Sequence, residues 1–180
     1  MPEYQINLAL MHALAFILAG IACISDLRSR RIPNALVAIG VVLGLSLNAS
    51  FAGLRGIGWS LAGGGLGLAL FLPFFAFGGM GGGDVKLLAG LGAFLGPREV
   101  VGVALAAALA GGLLALAVAV RERRLLETLK GIARLLRSWA TLGTEPVPDL
   151  SLQNPAALKI PYAVPLAAGA LFVALTGGGW

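Results

Sequence analysis

The chain carries six apolar stretches, at 7–25, 35–51, 57–77, 85–96, 99–120 and 160–177, and little polar sequence to cover them. An α-helix needs ~20 apolar residues to cross the ~30 Å hydrocarbon core of a bilayer. A spanning segment must also satisfy its own backbone polar groups, which helices do internally. Hydrophobic residues make up 58% of the sequence and charged residues 12%, against a usual ~25% charged. Such a chain cannot dress a soluble surface, which excludes both a disordered chain and an ordinary cytosolic globule. The pattern predicts an all-α integral membrane protein of six transmembrane helices forming a single transmembrane domain over 1–180.

The breaks between stretches carry chemical punctuation. Arg28, Arg30, Arg31 and Pro33 follow the first, Arg55 and Gly56 the second, Gly78 to Gly83 the third, and Pro97, Arg98 and Glu99 the fourth. With the N-terminus outside, eleven of the 13 Lys and Arg residues fall on the cytoplasmic side, leaving only Arg55 and Arg98 opposite. That bias sets orientation by the positive-inside rule. The net charge of +5 therefore reads as a topology signal, not as a nucleic-acid footprint. The start differs from a signal peptide: Glu3 stands where basic residues would, and the apolar run is too long.

The fourth stretch is short. Its 12 residues rise about 18 Å. A re-entrant fourth segment would put the basic stretch 121–159 outside, so the better expectation is a Gly78–Gly83 loop that dips into the membrane. Irregular backbone survives at that depth only when enclosed by protein or lining a wet cavity. Within 121–142, Leu125, Leu129, Ile132, Leu136 and Trp139 recur at helical spacing with Arg and Lys on the other face. This predicts an amphipathic helix on the cytoplasmic leaflet, its bases toward anionic lipid. Residues 143–159, with Pro146, Pro148 and Pro155, read as a loop.

There are three aspartates: Asp26, Asp84 and Asp149. Asp149 lies in the polar loop. Asp26 ends the first stretch and Asp84 begins the fourth. Two spans separate them, so both belong to one membrane face. A carboxylate at a membrane helix is costly and marks a functional hypothesis. Two such groups brought together share a proton: one member takes a proton from water while the other polarises a carbonyl. The neighbouring Gly81, Gly82 and Gly83 offer positive φ or close backbone approach, to which an extended peptide could bind. Gly63, Gly64, Gly65 and Gly67 fit close helix packing instead. The plain alternatives are a juxtamembrane charge at Asp26 and a helix N-cap at Asp84.

Three blocks together resemble the type IV prepilin peptidase family of intramembrane aspartic proteases. They are Asp26-Leu27-Arg28-Ser29-Arg30-Arg31-Ile32-Pro33-Asn34, the GxGD motif with its following lysine at Gly81-Gly82-Gly83-Asp84-Val85-Lys86, and Lys159-Ile160-Pro161-Tyr162-Ala163-Val164-Pro165. The resemblance implies Asp26 and Asp84 as the catalytic pair. It implies a prepilin or pseudopilin substrate, cut between its basic leader and its hydrophobic helix at the cytoplasmic face of a bacterial inner membrane, with pilus assembly machinery as a further partner. Long-form members carry an additional N-terminal segment, often with a four-cysteine metal site, and methylate the product. Here Asp26 lies near the start and Cys23 is the only cysteine. The likeness is therefore to the short form of tight-adherence pili, with no methyltransferase, no metal and no cofactor expected.

Around the pair, Lys86 is a candidate for contact with a substrate carboxylate or lipid phosphate, or a topology anchor. Arg28 either helps choose which aspartate is ionised or is a positive-inside residue. Pro161 and Pro165 either open the sixth helix toward the cleft or shape its entry. Cys23 reads as a small packing residue. His12, about 21 Å from Asp26 along the helix, reads as a core histidine. Two other classes remain: a proton-coupled transporter, which would put carboxylates near mid-bilayer, and a catalytically silent pilus-assembly partner, which need not keep both aspartates.

Overall fold

The computed structural model describes residues 2–76, 79–126, 128–131, 133 and 161–176, with side chains from Ile6 onward. Among them the chain is all-helical: α1 Pro2–Ser29, α2 Asn34–Ala76, α3 Gly82–Arg121 and α4 Ala163–Thr176. The first three are long and apolar enough to cross a membrane. Large apolar side chains lie on the outside of the bundle, among them Ile17, Leu54, Leu109, Leu113 and Leu175. A soluble protein of this size would not expose so much apolar surface. The chain is a membrane protein.

Neither α2 nor α3 is one straight rod. Gly53 (φ 57°, ψ −136°) and Gly96 (φ 82°, ψ 178°) leave the helical region, and at positive φ glycine is the residue without steric penalty. The chain reverses at both. A methyl group on Gly56 would collide with the Asn48 carbonyl, although eight residues of continuous helix would separate the two by about 12 Å. In α3, the Tyr162 ring lies against Gly111 and within electrostatic reach of Asp84. Those two positions would be about 40 Å apart on an unbroken helix. Each helix is thus a hairpin of two arms, 34–52 and 54–76 in α2, 82–95 and 97–121 in α3. The first reversal comes at Gly53, before the Arg55-Gly56 break expected from sequence, because Gly53 takes the positive φ. The second falls at Gly96, with Pro97 opening the next arm, where its missing N–H costs nothing.

The short arm 82–95 is the centre of the bundle. Val85 and every residue from Leu87 to Gly96 are buried. Both arms of α2 close on it through glycine. A Cβ on Gly44 would come within 2.8 Å of the Ala93 carbonyl carbon, and one on Gly67 within 2.6 Å of the Leu88 carbonyl oxygen. Gly63 and Gly92 are backbone to backbone, too close for either to carry a methyl group. Polar side chains ride on the same contact: Ser60 Oγ donates to the Ala93 carbonyl (2.7 Å), and Asn48 Nδ2 to the carbonyls of Ala93 (3.0 Å) and Phe94 (3.2 Å). Of the glycines expected to pack, Gly63 and Gly67 do so tightly and Gly64 loosely, whereas Gly65 faces open space.

The second arm of α3 packs with α4 and α1. Gly169 lies against the Val103 carbonyl, 2.5 Å from where its Cβ would be, and Val100, Val103, Leu166 and Val173 fill the space between. His12 Nε2 and Glu99 Oε2 meet at 2.7 Å between α1 and this arm, both largely buried. The helix ends at Arg121. Arg123 takes positive φ (57°) and the Arg124 amide donates to the Ala119 carbonyl, a Schellman-type stop.

Residues 125, 126 and 128–131 resume as helix, with Leu125 half-buried and Leu129 exposed. Most of the expected amphipathic helix, including Ile132, Leu136 and Trp139, lies outside the described residues. So do the loop 143–159 with Asp149, and positions 77, 160 and 177 at the ends of the third and sixth expected spans.

Gly63→Val should lower thermal stability in detergent by about 1–3 kcal/mol, the cost of overpacking a tight interface. Gly65→Ala should stay within about 0.5 kcal/mol of the parent. Equal melting temperatures for the two variants would contradict the packing described. His12→Ala should cost about 1–3 kcal/mol in the same assay, by leaving the buried Glu99 carboxylate without its partner.

Candidate active site

Asp26 lies in the last turns of α1, and its carbonyl accepts the Arg30 amide at 2.8 Å. Arg30 takes positive φ (51°) and ends the helix. The hydroxyls of Ser25 and Ser29 both donate to the Arg31 carbonyl (2.9 and 3.3 Å), folding the connection back under the helix. α2 begins at Asn34, with Pro33 just before it accepting the amides of Leu36 and Val37. The connection therefore stays short and brings Ile32 under the bundle, where it packs on the core.

The start of α3 rests on that connection. A Cβ on Gly83 would meet the Ile32 side chain at 3.2 Å, and one on Gly82 the Phe75 ring at 3.2 Å. Gly81 is the N-cap in ordinary extended conformation (φ −75°, ψ 142°), and its carbonyl accepts the Asp84 amide at 3.1 Å. Its amide N–H is directed at the Asp84 carboxylate. A Cβ here would lie 3.0 Å from Asp84 Oδ2. None of Gly81, Gly82 and Gly83 has positive φ. Of the two reasons expected for this glycine run, backbone freedom is absent. What lies against the three glycines is not a second backbone but the side chains of Asp84, Phe75 and Ile32. Gly78 lies outside the described residues.

The outcome is that Asp26 and Asp84, on different helices, come to one end of the bundle within electrostatic reach of each other. Both are half-buried. Tyr162 joins them from just before α4. Its ring packs edge-on against Phe71 (centroids 5.8 Å, 75°) and its hydroxyl donates to the Ala107 carbonyl at 3.5 Å. In the sequence Tyr162 is marked only as the aromatic of a proline block; its place within electrostatic reach of Asp84 depends on the Gly96 reversal. Pro165 is fully buried in the first turn of α4 and Pro161 half-buried before it, its carbonyl accepting the Val164 amide.

Lys86 does not turn toward the aspartates. Its Nζ donates to Asn34 Oδ1 at 3.1 Å, tying the start of α3 to the start of α2. Arg28 is exposed, and no ion pair links it to Asp26. Cys23 is half-buried against the core. His12 sits far from the pair, against Glu99. No group of three or more metal-ligating side chains occurs among the described residues.

A family model described as the type IV leader peptidase family matches residues 13–116. The chain belongs to the type IV leader peptidase family. The match covers both aspartates, the α2 hairpin and the α3 hairpin as far as residue 116, and stops short of Pro161 and Tyr162. No curated protein and no solved structure matches the chain. Membership makes the chain a protease of the leader-peptidase kind, aspartic in type as the family is, and gives it a prepilin-type substrate at the level of the family.

In this leader peptidase, Lys86→Ala and Asn34→Ala should each cost about 0.5–1 kcal/mol, since the contact is exposed. The double variant should cost no more than the larger single one, measured by a double-mutant cycle on thermal unfolding. Additive losses would mean that the two side chains do not act together.

Proposed function

We propose that the chain is an intramembrane aspartic endopeptidase that removes the basic leader from prepilins or pseudopilins at the cytoplasmic face, with Asp26 and Asp84 as its catalytic pair. What supports the reading is that these two carboxylates, 58 positions apart in sequence, lie within electrostatic reach of each other at one end of a bundle in a chain of this family. The two hairpins together with α1 and α4 then make six crossings with the N-terminus outside, the topology the basic residues favour. The stretch 121–142 lies on anionic lipid of the inner leaflet, and the processed pilin passes to the assembly machinery.

The chemistry follows from the pair. With one carboxylate ionised and the other protonated, the ionised member takes a proton from water while the water oxygen attacks the scissile carbonyl carbon. The protonated member gives its proton to the carbonyl oxygen, so that a neutral gem-diol forms. Collapse of the diol breaks the C–N bond as a proton moves to the leaving nitrogen, and the shared-proton state is restored. No metal enters these steps. Gly81, Gly82 and Gly83 serve by staying small: they let the Asp84 carboxylate fold back on its own N-cap and let α3 settle on Ile32 and Phe75. Tyr162 walls the site on the α4 side.

Co-expression with a tagged prepilin, in a host lacking its own peptidase, tests this by the size shift of the product. Asp26→Asn and Asp84→Asn should each lower cleavage by about 10²–10⁴-fold, the usual worth of a general acid or base. Full cleavage by either variant would overturn the pair. Gly81→Ala should lower kcat/KM by about 10- to 100-fold through displacement of the Asp84 carboxylate, with little change in melting temperature.

A further inference from the structure

At the end of the bundle away from the aspartates, a cavity of about 520 Å³ opens between α1 and the reversals of α2 and α3. Met11, Phe51, Trp59 and Phe94 give it apolar walls, and Arg55 and Arg98 give it charge. These two are the whole basic complement that the charge bias leaves off the cytoplasmic side. They come from different hairpin turns, yet they line one hollow. Both are exposed, and neither has an ion-pair partner among the described residues. Glu99, the carboxylate lining the cavity, is engaged by His12 at 2.7 Å.

Two guanidinium groups facing one hollow repel each other until an anion lies between them. Their planar donor forks match phosphate oxygens. The apolar walls would not suit a small hydrated anion, but they suit the first carbons of an acyl chain. Phe51 and Trp59 are both partly exposed, and tryptophan is enriched at the headgroup level of a bilayer. With Glu99 turned to His12, no free carboxylate remains for the ammonium or choline of a zwitterionic lipid.

We infer that this cavity binds the headgroup of an anionic phospholipid, with Arg55 and Arg98 on its phosphate and the apolar walls along its acyl chains. The bound lipid joins the turn of α2 to the turn of α3 and to α1, about 18 Å from Asp84 along the short arm, and stabilises the bundle from the face opposite the aspartates.

The test is thermal unfolding of the full chain, delipidated in neutral detergent and titrated with phosphatidylglycerol, phosphatidylcholine or inorganic phosphate. Phosphatidylglycerol should raise the melting temperature saturably, and the other two should not. Arg55→Gln with Arg98→Gln should weaken the phosphatidylglycerol effect at least about tenfold, as expected for lost charge-assisted contacts. Arg30→Gln with Arg31→Gln, which removes two exposed cations at the aspartate end of the bundle, should leave it unchanged. Arg98→Lys, which keeps the charge and most of the bulk, should give an intermediate loss and guards against misfolding of the double variant. The proposal is overturned by equal stabilisation from phosphatidylcholine or from inorganic phosphate, by an undiminished effect in the Arg55/Arg98 variant, or by equal losses in the two double variants.

Discussion

Everything in this bundle depends on how closely backbone can approach the arm 82–95. That arm is only 14 residues long, roughly 21 Å, too short to cross a bilayer while facing lipid at both ends. It is not exposed to lipid: α2 folds around it through Gly44, Gly63 and Gly67, with Gly92 on the arm itself. Lipid offers no hydrophobic force to press helices together, so small residues that admit close van der Waals contact supply the adhesion. Ser60 and Asn48 add hydrogen bonds to carbonyls of the arm, where an apolar surrounding makes a partner worth having.

Enclosure of the short arm is also what makes the candidate site. Because its start is held by Ile32, Phe75 and the Lys86–Asn34 contact rather than by lipid, Asp84 sits at a fixed height beside the turn that follows Asp26. A carboxylate inside protein at the membrane edge can keep water and a hydrogen-bond donor, here the Gly81 amide. The same carboxylate facing hydrocarbon could not. The second reversal, at Gly96, returns the chain so that α4 brings Tyr162 to the same end. At the opposite end the two turns leave Arg55 and Arg98 around a hollow. The candidate site and the hollow are thus separated by the length of one short helix.

Much of this was legible in the sequence, for definite reasons. Apolar runs interrupted by Arg, Gly and Pro mark helix ends, and the parity of the runs between Asp26 and Asp84 puts both at one face. The Pro97-Arg98-Glu99 break was visible because proline opens helices. The Gly53 turn was less so, since Gly53 is one glycine among 27 and only its φ distinguishes it. Side-chain partners were not legible at all. The His12–Glu99 contact and the Lys86–Asn34 contact each join residues on different helices, and nothing local in the chain pairs them. The glycines before Asp84 suggest positive φ or close backbone approach, but their φ values are ordinary and the space they leave is taken by side chains.

The central claim is that the fold brings Asp26 and Asp84 to one end of the bundle, within electrostatic reach of each other. Thiol cross-linking in native membranes tests it directly, in a Cys23→Ser background, with a short bifunctional reagent. Asp26→Cys combined with Asp84→Cys should cross-link, as should His12→Cys with Glu99→Cys at the far end, which shows that the reagent reaches the bundle. Asp26→Cys with Glu99→Cys should not. A bundle in which the His12/Glu99 pair cross-links and the Asp26/Asp84 pair does not would contradict the account.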